Sequence, residues 1–457
     1  MDERWNVYLK DIRFRPSGTK KEFDGRDPFE NDYSRLITSS PVRRLQDKTQ
    51  VFPLEKSDFP RTRLTHSLEV SSIARSIGKS IEKQILPSRL APEFQGQLAS
   101  LLATAGLIHD LGNPPFGHFG EKAIQSFFTD YINKSTLNLN DQEKNDFKYF
   151  DGNVQTLRIL RKLYFLIDEN GYNLSYPSLH VIVKYPCSSI DGNKGDRAEH
   201  IKFKKFGYFC SEQNDFETIT KELQLNSTRH PLTYLLEAAD DIAYSSTDVE
   251  DAVKMGTLDC RTIIEVLEDE PGRYTPEEKK IIEDFRSSFK KLSRTVVDAN
   301  DIAVQQFRIA VQTLFIEAII REFFDNYASL MDGTYPHELL EKCTCQEMKH
   351  RLDKLFKIIL RDKKVIGIEL AGWNVLVGLL SEYIPACQAE TSRAGSKTRE
   401  GRLYQTISSS FRHLYETRNQ YHNETYNRLQ LVVDYISGMT DNFALELFQR
   451  LKGIRTT

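Results

Sequence analysis

Two imidazoles and two carboxylates stand close together in GLIHDLGNPPFGHFGE, residues 106–121: His109, Asp110, His118 and Glu121. Neutral imidazole and carboxylate are ligands for a divalent metal and are also proton-transfer groups. The apolar run LASLLATAGLI before them predicts a helix too short to cross a membrane, which ends on His109-Asp110. Gly112, Asn113, Pro114 and Pro115 follow, and no helix interior would tolerate them. A stiff turn is therefore expected, after which FGEKAIQSFFTDYI opens a new helix beside His118 and Glu121. A His-Asp pair alone is as well explained by a capped helix end. A rigid loop returning a second imidazole and carboxylate favours a metal or acid–base site.

Other helices must supply the rest of such a site. HSLEVSSIARSIGKSIEKQIL carries Ile73, Ile77, Ile81 and Ile85 at helical spacing, with His66 leading the same face. A histidine there is most often structural, but this one would point into the core that receives His109. PLTYLLEAADDIAYSSTDVEDAVKMG has Pro231 as its first residue and Gly256 as its terminator. Leu236, Asp240, Ala243, Tyr244 and Thr247 share one face, which should bury Asp240; Asp241 falls on another, with Asp248. An ionised carboxylate on an apolar face is costly unless it is paired or bound to metal.

The remaining segments read more simply. Residues 1–34 form an irregular arm; a helical pattern begins near Tyr33, breaks at Pro41 and ends near Gln50. PLEKSDFPRTRLT is a loop that delivers Arg61 and Arg63. Residues 133–151 read as a loop or short exposed helix, and NVQTLRILRKLYFLI as an amphipathic helix. Between 180 and 210, HVIVKYPC and KFKKFGYFC read as a small hairpin or extended segments. They bring Lys184, Tyr185, Lys202, Lys204 and Lys205, either as a solvated face or as the lining of a phosphate pocket. Residues 257–457 are mostly helical by pattern, with a basic, mobile loop at 389–402.

Composition narrows the function classes. A net charge of −3 over 457 residues argues against a globally basic nucleic-acid binder. The charged start MDERWNVYLK lacks the apolar core of a signal peptide, and no apolar run is expected to reach the length of a membrane span. The six cysteines are scattered with no C-x-x-C pair, so reduced thiols and a cytoplasmic location are expected. Walker-type loops, G-x-G-x-x-G, G-x-S-x-G and zinc-finger spacings do not occur.

The order His66, His109-Asp110, Asp240 resembles the signature of the HD superfamily of metal-dependent phosphohydrolases. RRLQDKTQVFPLE, RTRLTHSLEV, HDLGNPPFGHFGE and LLEAADDIAYSSTDVEDAV look closely like the signature segments of the bacterial deoxyguanosine triphosphate triphosphohydrolases. The resemblance implies a mainly α fold: an HD helical core over 35–256, further helices over 257–457, and at most a small β hairpin. It implies hydrolysis of dNTPs, dGTP favoured, to deoxynucleoside and inorganic triphosphate by water attack at the α-phosphate. His66, His109, Asp110 and Asp240 would hold one divalent ion, Mn²⁺ or Mg²⁺ first, with Fe²⁺, Co²⁺ or Ni²⁺ as alternatives. Two nitrogens and two oxygens suit an octahedral ion that polarises a phosphate. His118 and Glu121 would be the proton-transfer pair. Arg63, Lys184, Tyr185 and Lys205 would grip the triphosphate, Gln50 and Asp248 the 3′-hydroxyl, and Tyr244 would stack under the deoxyribose. A homo-oligomer is implied, hexameric before tetrameric, with single-stranded DNA or a nucleotide as candidate effectors and no membrane partner. Competing readings are another HD nucleotide phosphohydrolase or phosphodiesterase, and a non-enzymatic sensor of nucleotides or single-stranded DNA on an HD scaffold.

Overall fold

The helix Arg63–Ile85 begins at Thr62, whose hydroxyl accepts the Thr65 amide. It lies along a second helix, Gln97–Ile108, which is buried from Leu98 to its end. The two backbones nearly touch: a Cβ on Gly106 would sit 2.7 Å from the Cα of Ser71. Only glycine permits this approach. Ser71 donates to the Ala103 carbonyl at 2.7 Å and locks the register. That register sets His66 of one helix opposite His109 at the end of the other.

A third helix, Pro231–Lys254, packs on both. The His230 ring caps it, Pro231 fills its first position, and Gly256 ends it at φ +72°. Every residue of this helix is buried except Asp240, Tyr244 and Lys254. Asp240 and Tyr244 are one turn apart, so an otherwise enclosed helix has one window, and both look out through it. Asp240 is thus partly open where full burial was expected. Asp241, on another face, is buried.

The computed structural model describes residues 2–16, 24–50, 61–164, 168–195, 199–269, 273–389, 397–417 and 421–454. Among these, β structure amounts to an isolated bridge between Thr49 and Thr62, with no strand. The fold is mainly α. The segment 180–210, read as a hairpin or extended segments, forms no strand among its described residues; the helix Tyr176–Val181 runs into its first two residues, and it holds a short turn at Ile201–Phe203. Ser175 caps the first and Pro177 lies in its first turn, and these signals outweigh the β-branched content of HVIV.

Other segments also differ from expectation. Within 1–34, Arg4–Tyr8 is helical with Trp5 and Tyr8 buried, and Pro28–Ile37 is helical from an Asp27–Glu30 capping box, ahead of Tyr33. Asp141–Lys148 is a short helix, but it buries Glu143, Asp146 and Phe147 rather than lying exposed. The amphipathic segment is α-helical only over Gly152–Arg158, then widens into a π-helical turn over Ile159–Leu163. Of the basic loop, Arg399–Thr406 begins a helix, while 390–396 lie outside the described residues, as do 51–60.

Two helices, Ala299–Asp325 and Lys363–Gln388, are long and apolar enough to cross a membrane by length and composition, which the sequence reading did not anticipate. Each lays a buried stripe on the body. Phe307, Val311, Phe315, Ala318 and Phe323 form one; Val375, Leu379, Tyr383 and Ile384 belong to the other. A one-sided stripe of this kind is what a core helix carries.

Candidate metal and phosphate site

His66, His109 and Asp240 each offer a ligand atom, and these atoms lie within 4.8 Å of one another. Asp240 Oδ1 is 3.2 Å from His66 Nε2 and 3.4 Å from His109 Nε2. Asp110 Oδ1 is 3.5 Å from that same His109 nitrogen. Two helices and the end of a third thus bring three side chains together, with Asp110 beside His109 at the edge of the group.

The protonation pattern tests whether a cation fits there. His109 Nδ1 donates to the Gly106 carbonyl at 2.8 Å, which leaves Nε2 unprotonated in the neutral ring. That Nε2 is buried and has no hydrogen-bond partner. An orphaned lone pair facing two carboxylates is an unfavourable arrangement without a positive charge between them. Burial opposes charging His109, yet Asp110 and Asp240 outweigh it and raise its pKa. The donor set therefore fits a divalent ion: two nitrogens, two anionic oxygens and a tautomer fixed from behind.

Each carboxylate is also held from outside the cluster. Arg63 donates to Asp110 Oδ2 at 2.5 Å and Asn113 Nδ2 to Asp110 Oδ1 at 2.6 Å. Burial works against the Asp110 charge, but His109 and then Arg63 hold the carboxyl well below the usual range. Lys184 donates to Asp240 Oδ2 at 3.0 Å. Here too burial is outweighed, first by Lys184 and then by His109, and the Asp240 carboxyl is held well down. Lys184 and Arg63 are thus two fixed cations flanking the ligand cluster. The turn itself is clamped, since the Gly112 amide donates to Thr156 Oγ1 at 2.9 Å and that hydroxyl donates to the His109 carbonyl at 3.2 Å.

His118 stands apart from these buried groups. Its side chain is 80% exposed, and its Nδ1 donates to Glu121 Oε2 at 3.1 Å. Glu121 is buried and accepts the Gly152 amide at 2.7 Å on its other oxygen. The hydrogen bond to Glu121 raises the His118 pKa above its ordinary 6.5. Any stability it contributes is full below about 6.5 and is lost as pH rises through the raised folded value. The ring's titration, followed by NMR, is expected to fall towards the ordinary value in Glu121→Gln. An unmoved midpoint would separate the two residues.

The other candidates are placed unevenly. Lys205 pairs with Asp151, the residue before Gly152, and that pairing raises its pKa. Tyr185 is buried beside Lys184, its phenol pushed up to about 12 by burial. Gln50 has a buried side-chain oxygen with no hydrogen-bond partner, an acceptor open to a hydroxyl. Tyr244 lies next to Asp240 in the helix window, with Lys349 Nζ 5.5 Å from its ring centre. Asp248 is buried two turns from Asp240, nearer the ion cluster in which Arg61 meets Glu69, Glu250 and Asp251. Burial and Asp251 push its carboxyl well up, and it is not among the residues brought together with His66, His109 and Asp240. Of the other basic residues, Lys204 is taken by Glu338 at 3.1 Å.

Sequence reasoning overlooked several groups. Asn113 was read only as a turn residue, although it is the amide that orients Asp110. Asp151 had no local signal beyond a cap before Gly152. Lys349 sits in the amphipathic helix Gln346–Ile359, where nothing marks one lysine out.

Comparison with known proteins decides the family. The HD domain model matches residues 63–150, and a phosphohydrolase-associated domain matches 386–450. A deoxyguanosinetriphosphate triphosphohydrolase-like protein of Listeria innocua is 40% identical, over 99% of this chain and 100% of that protein. A protein of the same description from Listeria monocytogenes matches equally, at 40%. The deoxyguanosinetriphosphate triphosphohydrolase of Cronobacter sakazakii is 31% identical over 97% of each chain. The chain belongs to the deoxyguanosinetriphosphate triphosphohydrolase family. It is an HD-domain hydrolase of that family. The HD match spans His66, His109, Asp110, His118 and Glu121, whereas Lys184 and Asp240 lie beyond it.

Proposed function

We propose that this protein hydrolyses deoxynucleoside triphosphates, dGTP foremost, to deoxynucleoside and inorganic triphosphate. The observation that carries the reading is the orphaned His109 Nε2, facing Asp240 and Asp110 with Lys184 and Arg63 at the rim. His66, His109, Asp110 and Asp240 would hold one divalent ion, Mn²⁺ or Mg²⁺ before Fe²⁺, Co²⁺ or Ni²⁺. When bound, the ion supplies Lewis-acid charge at the reacting phosphoryl group.

The chain's own residues do the rest. Arg63, Lys184 and Lys205 place fixed positive charge where the three phosphates develop negative charge, and Tyr185 lies beside Lys184. Water attacks the α-phosphorus, the bond to the 5′-oxygen breaks, and that oxygen needs a proton. His118 Nδ1 is committed to Glu121, so its Nε2 is the atom that delivers it. Its raised pKa favours the imidazolium more than in an ordinary histidine, and activity should fall as pH rises through that raised value. The open acceptor of Gln50 takes the sugar 3′-hydroxyl, with Asp248 as its partner in that role. A hydrogen bond to a neutral amide oxygen of this kind is worth about 0.5–1.5 kcal/mol.

Incubation with each dNTP and Mn²⁺, with products resolved by chromatography, tests the reaction. Triphosphate is the expected product. Orthophosphate or pyrophosphate would instead indicate another HD nucleotide phosphohydrolase. No turnover would leave the sensor reading.

Sugar choice is assigned to Tyr244. Its ring shares the helix window with Asp240, so a substrate bound there must set its sugar against the ring. A flat aromatic packed on the sugar leaves no space for a 2′-hydroxyl. Tyr244→Ala is expected to narrow the ratio of kcat/KM for dGTP over GTP. An unchanged ratio in a variant with a normal melting curve would remove Tyr244 from the site.

The catalytic unit is assigned to residues 35–256, with the helices of 1–34 and of 257–457 packed on it. A homo-oligomer acting in the cytoplasm, hexameric before tetrameric, completes the reading, with single-stranded DNA or a nucleotide as effector. Light scattering with and without these ligands tests both.

A further inference from the structure

The helix Gly117–Lys134 carries His118 and Glu121, yet it has no side-chain cap of its own. Its N-cap residue is Phe116, a non-glycine residue at φ +63°. Such a backbone is disfavoured and persists only where its surroundings impose it. Two features of the C-terminal half impose it here.

The first is Asp441, at the start of the helix Asp441–Leu451 and only 2% exposed. Its Oδ1 accepts the Phe116 amide at 3.0 Å, and its Oδ2 accepts the Thr49 amide at 3.0 Å and the Thr49 hydroxyl. The second is Gly372, in the helix Lys363–Gln388. A Cβ there would lie 2.5 Å from Phe116 Cγ, so the ring is seated directly on that backbone. A further tie runs alongside, as buried Lys48 donates to the carbonyls of Asn113 and Ser437, at 2.9 Å for the latter.

We infer that Asp441 is a positioning residue for the His118–Glu121 pair. It lies within the stretch that matches the phosphohydrolase-associated domain, far in sequence from the HD motif. One buried carboxylate caps the helix that presents the acid–base pair. It also fixes Thr49, the neighbour of Gln50, so proton donor and sugar acceptor are held from one point. Without it, the Phe116 amide loses its acceptor, the strained turn relaxes, and the His118 ring swings from its place.

This inference rests on His118 acting as the proton donor, and the test keeps the two claims apart. Asp441→Ala is expected to lower kcat roughly 10- to 100-fold, less than loss of the acid–base group itself, with KM and metal content little changed. Asp441→Asn should recover much of the loss, because its amide oxygen still accepts from Phe116. In a His118→Ala background Asp441→Ala should cost almost nothing more, since the pair acts as a unit. An equal cost in both backgrounds, or a folded Asp441→Ala with parental kcat, overturns the inference.

The His118 titration, read by NMR without substrate, gives a second measure. Asp441→Ala should shift it towards that of Glu121→Gln, and an unmoved midpoint overturns the inference. This readout stands even if the parent protein cleaves no dNTP, an outcome that removes the functional reading alone. Should Asp441→Ala melt below the assay temperature, Gly372→Ala displaces the Phe116 ring from the other side. It carries the same expectations and the same overturning results.

Discussion

Asp240→Asn is expected to strip the metal and abolish hydrolysis, while Asp241→Asn keeps most of both. The two residues are adjacent and chemically alike, so the contrast is a demanding one. Asp240 offers Oδ1 to the space between His66 Nε2 and His109 Nε2, at 3.2 and 3.4 Å. An amide there removes an anionic ligand and sets a neutral group beside Lys184, whose Nζ is 3.0 Å from Oδ2. Loss of even an outer-sphere partner costs a metal site about 10- to 100-fold in affinity, so loss of a ligand should exceed that. Asp241 faces elsewhere. Burial, reinforced by Glu338, pushes its carboxyl well above the usual range. Such surroundings disfavour the charged form, and an amide closely matches the shape of the neutral acid, so Asn should be tolerated. Elemental analysis of both purified variants decides the matter, and equal metal loss would reject Asp240 as the distinguishing ligand.

His118→Ala is expected to retain fold and metal and to lose roughly 10²- to 10⁴-fold in kcat, the usual worth of an acid–base group. The ring is 80% exposed, so its removal leaves no cavity. Glu121 is different. It is buried and also accepts the Gly152 amide, so Glu121→Ala leaves that donor unpaired, at about 1–3 kcal/mol of stability. Glu121→Gln keeps an acceptor for Gly152 and is the cleaner probe of orientation. Its kcat should fall less than that of His118→Ala. Single-turnover rates with matched melting curves separate chemistry from folding, and a near-normal rate in His118→Ala would sink the proposed role.

How far the sequence can be read depends on whether a constraint is local. The turn after Asp110 was legible because Gly112, Pro114 and Pro115 forbid a helix whatever surrounds them. The Pro231 helix was legible at both ends, since proline and glycine act through their own backbones. Its faces were less so. Periodicity separates a wet face from a dry one, and this helix is dry on nearly all sides. Asp240 was therefore expected to be fully buried, and the window that leaves it partly open was not legible. The segment at 180 misled because β-branched residues weigh less than a Ser175 cap and Pro177. Asp441 and Lys48 were beyond reach for another reason. Each acts on backbone groups far along the chain, and an amide or carbonyl leaves no mark in the sequence.

The dispersed origin of the ligands has a consequence for synthesis. His66 and His109 are made early, but Asp240 follows Asp110 by 130 residues. At about 5–20 residues per second, the ribosome takes roughly 7–26 s to cover that interval. For that time the nascent chain carries three of the four proposed ligands, two imidazoles and one carboxylate. Asp441 comes a further 201 residues later, again at roughly 5–20 residues per second. Chelating capacity should therefore arise before catalytic competence. Ribosome-bound chains arrested between the two points should capture the ion without turning over nucleotide.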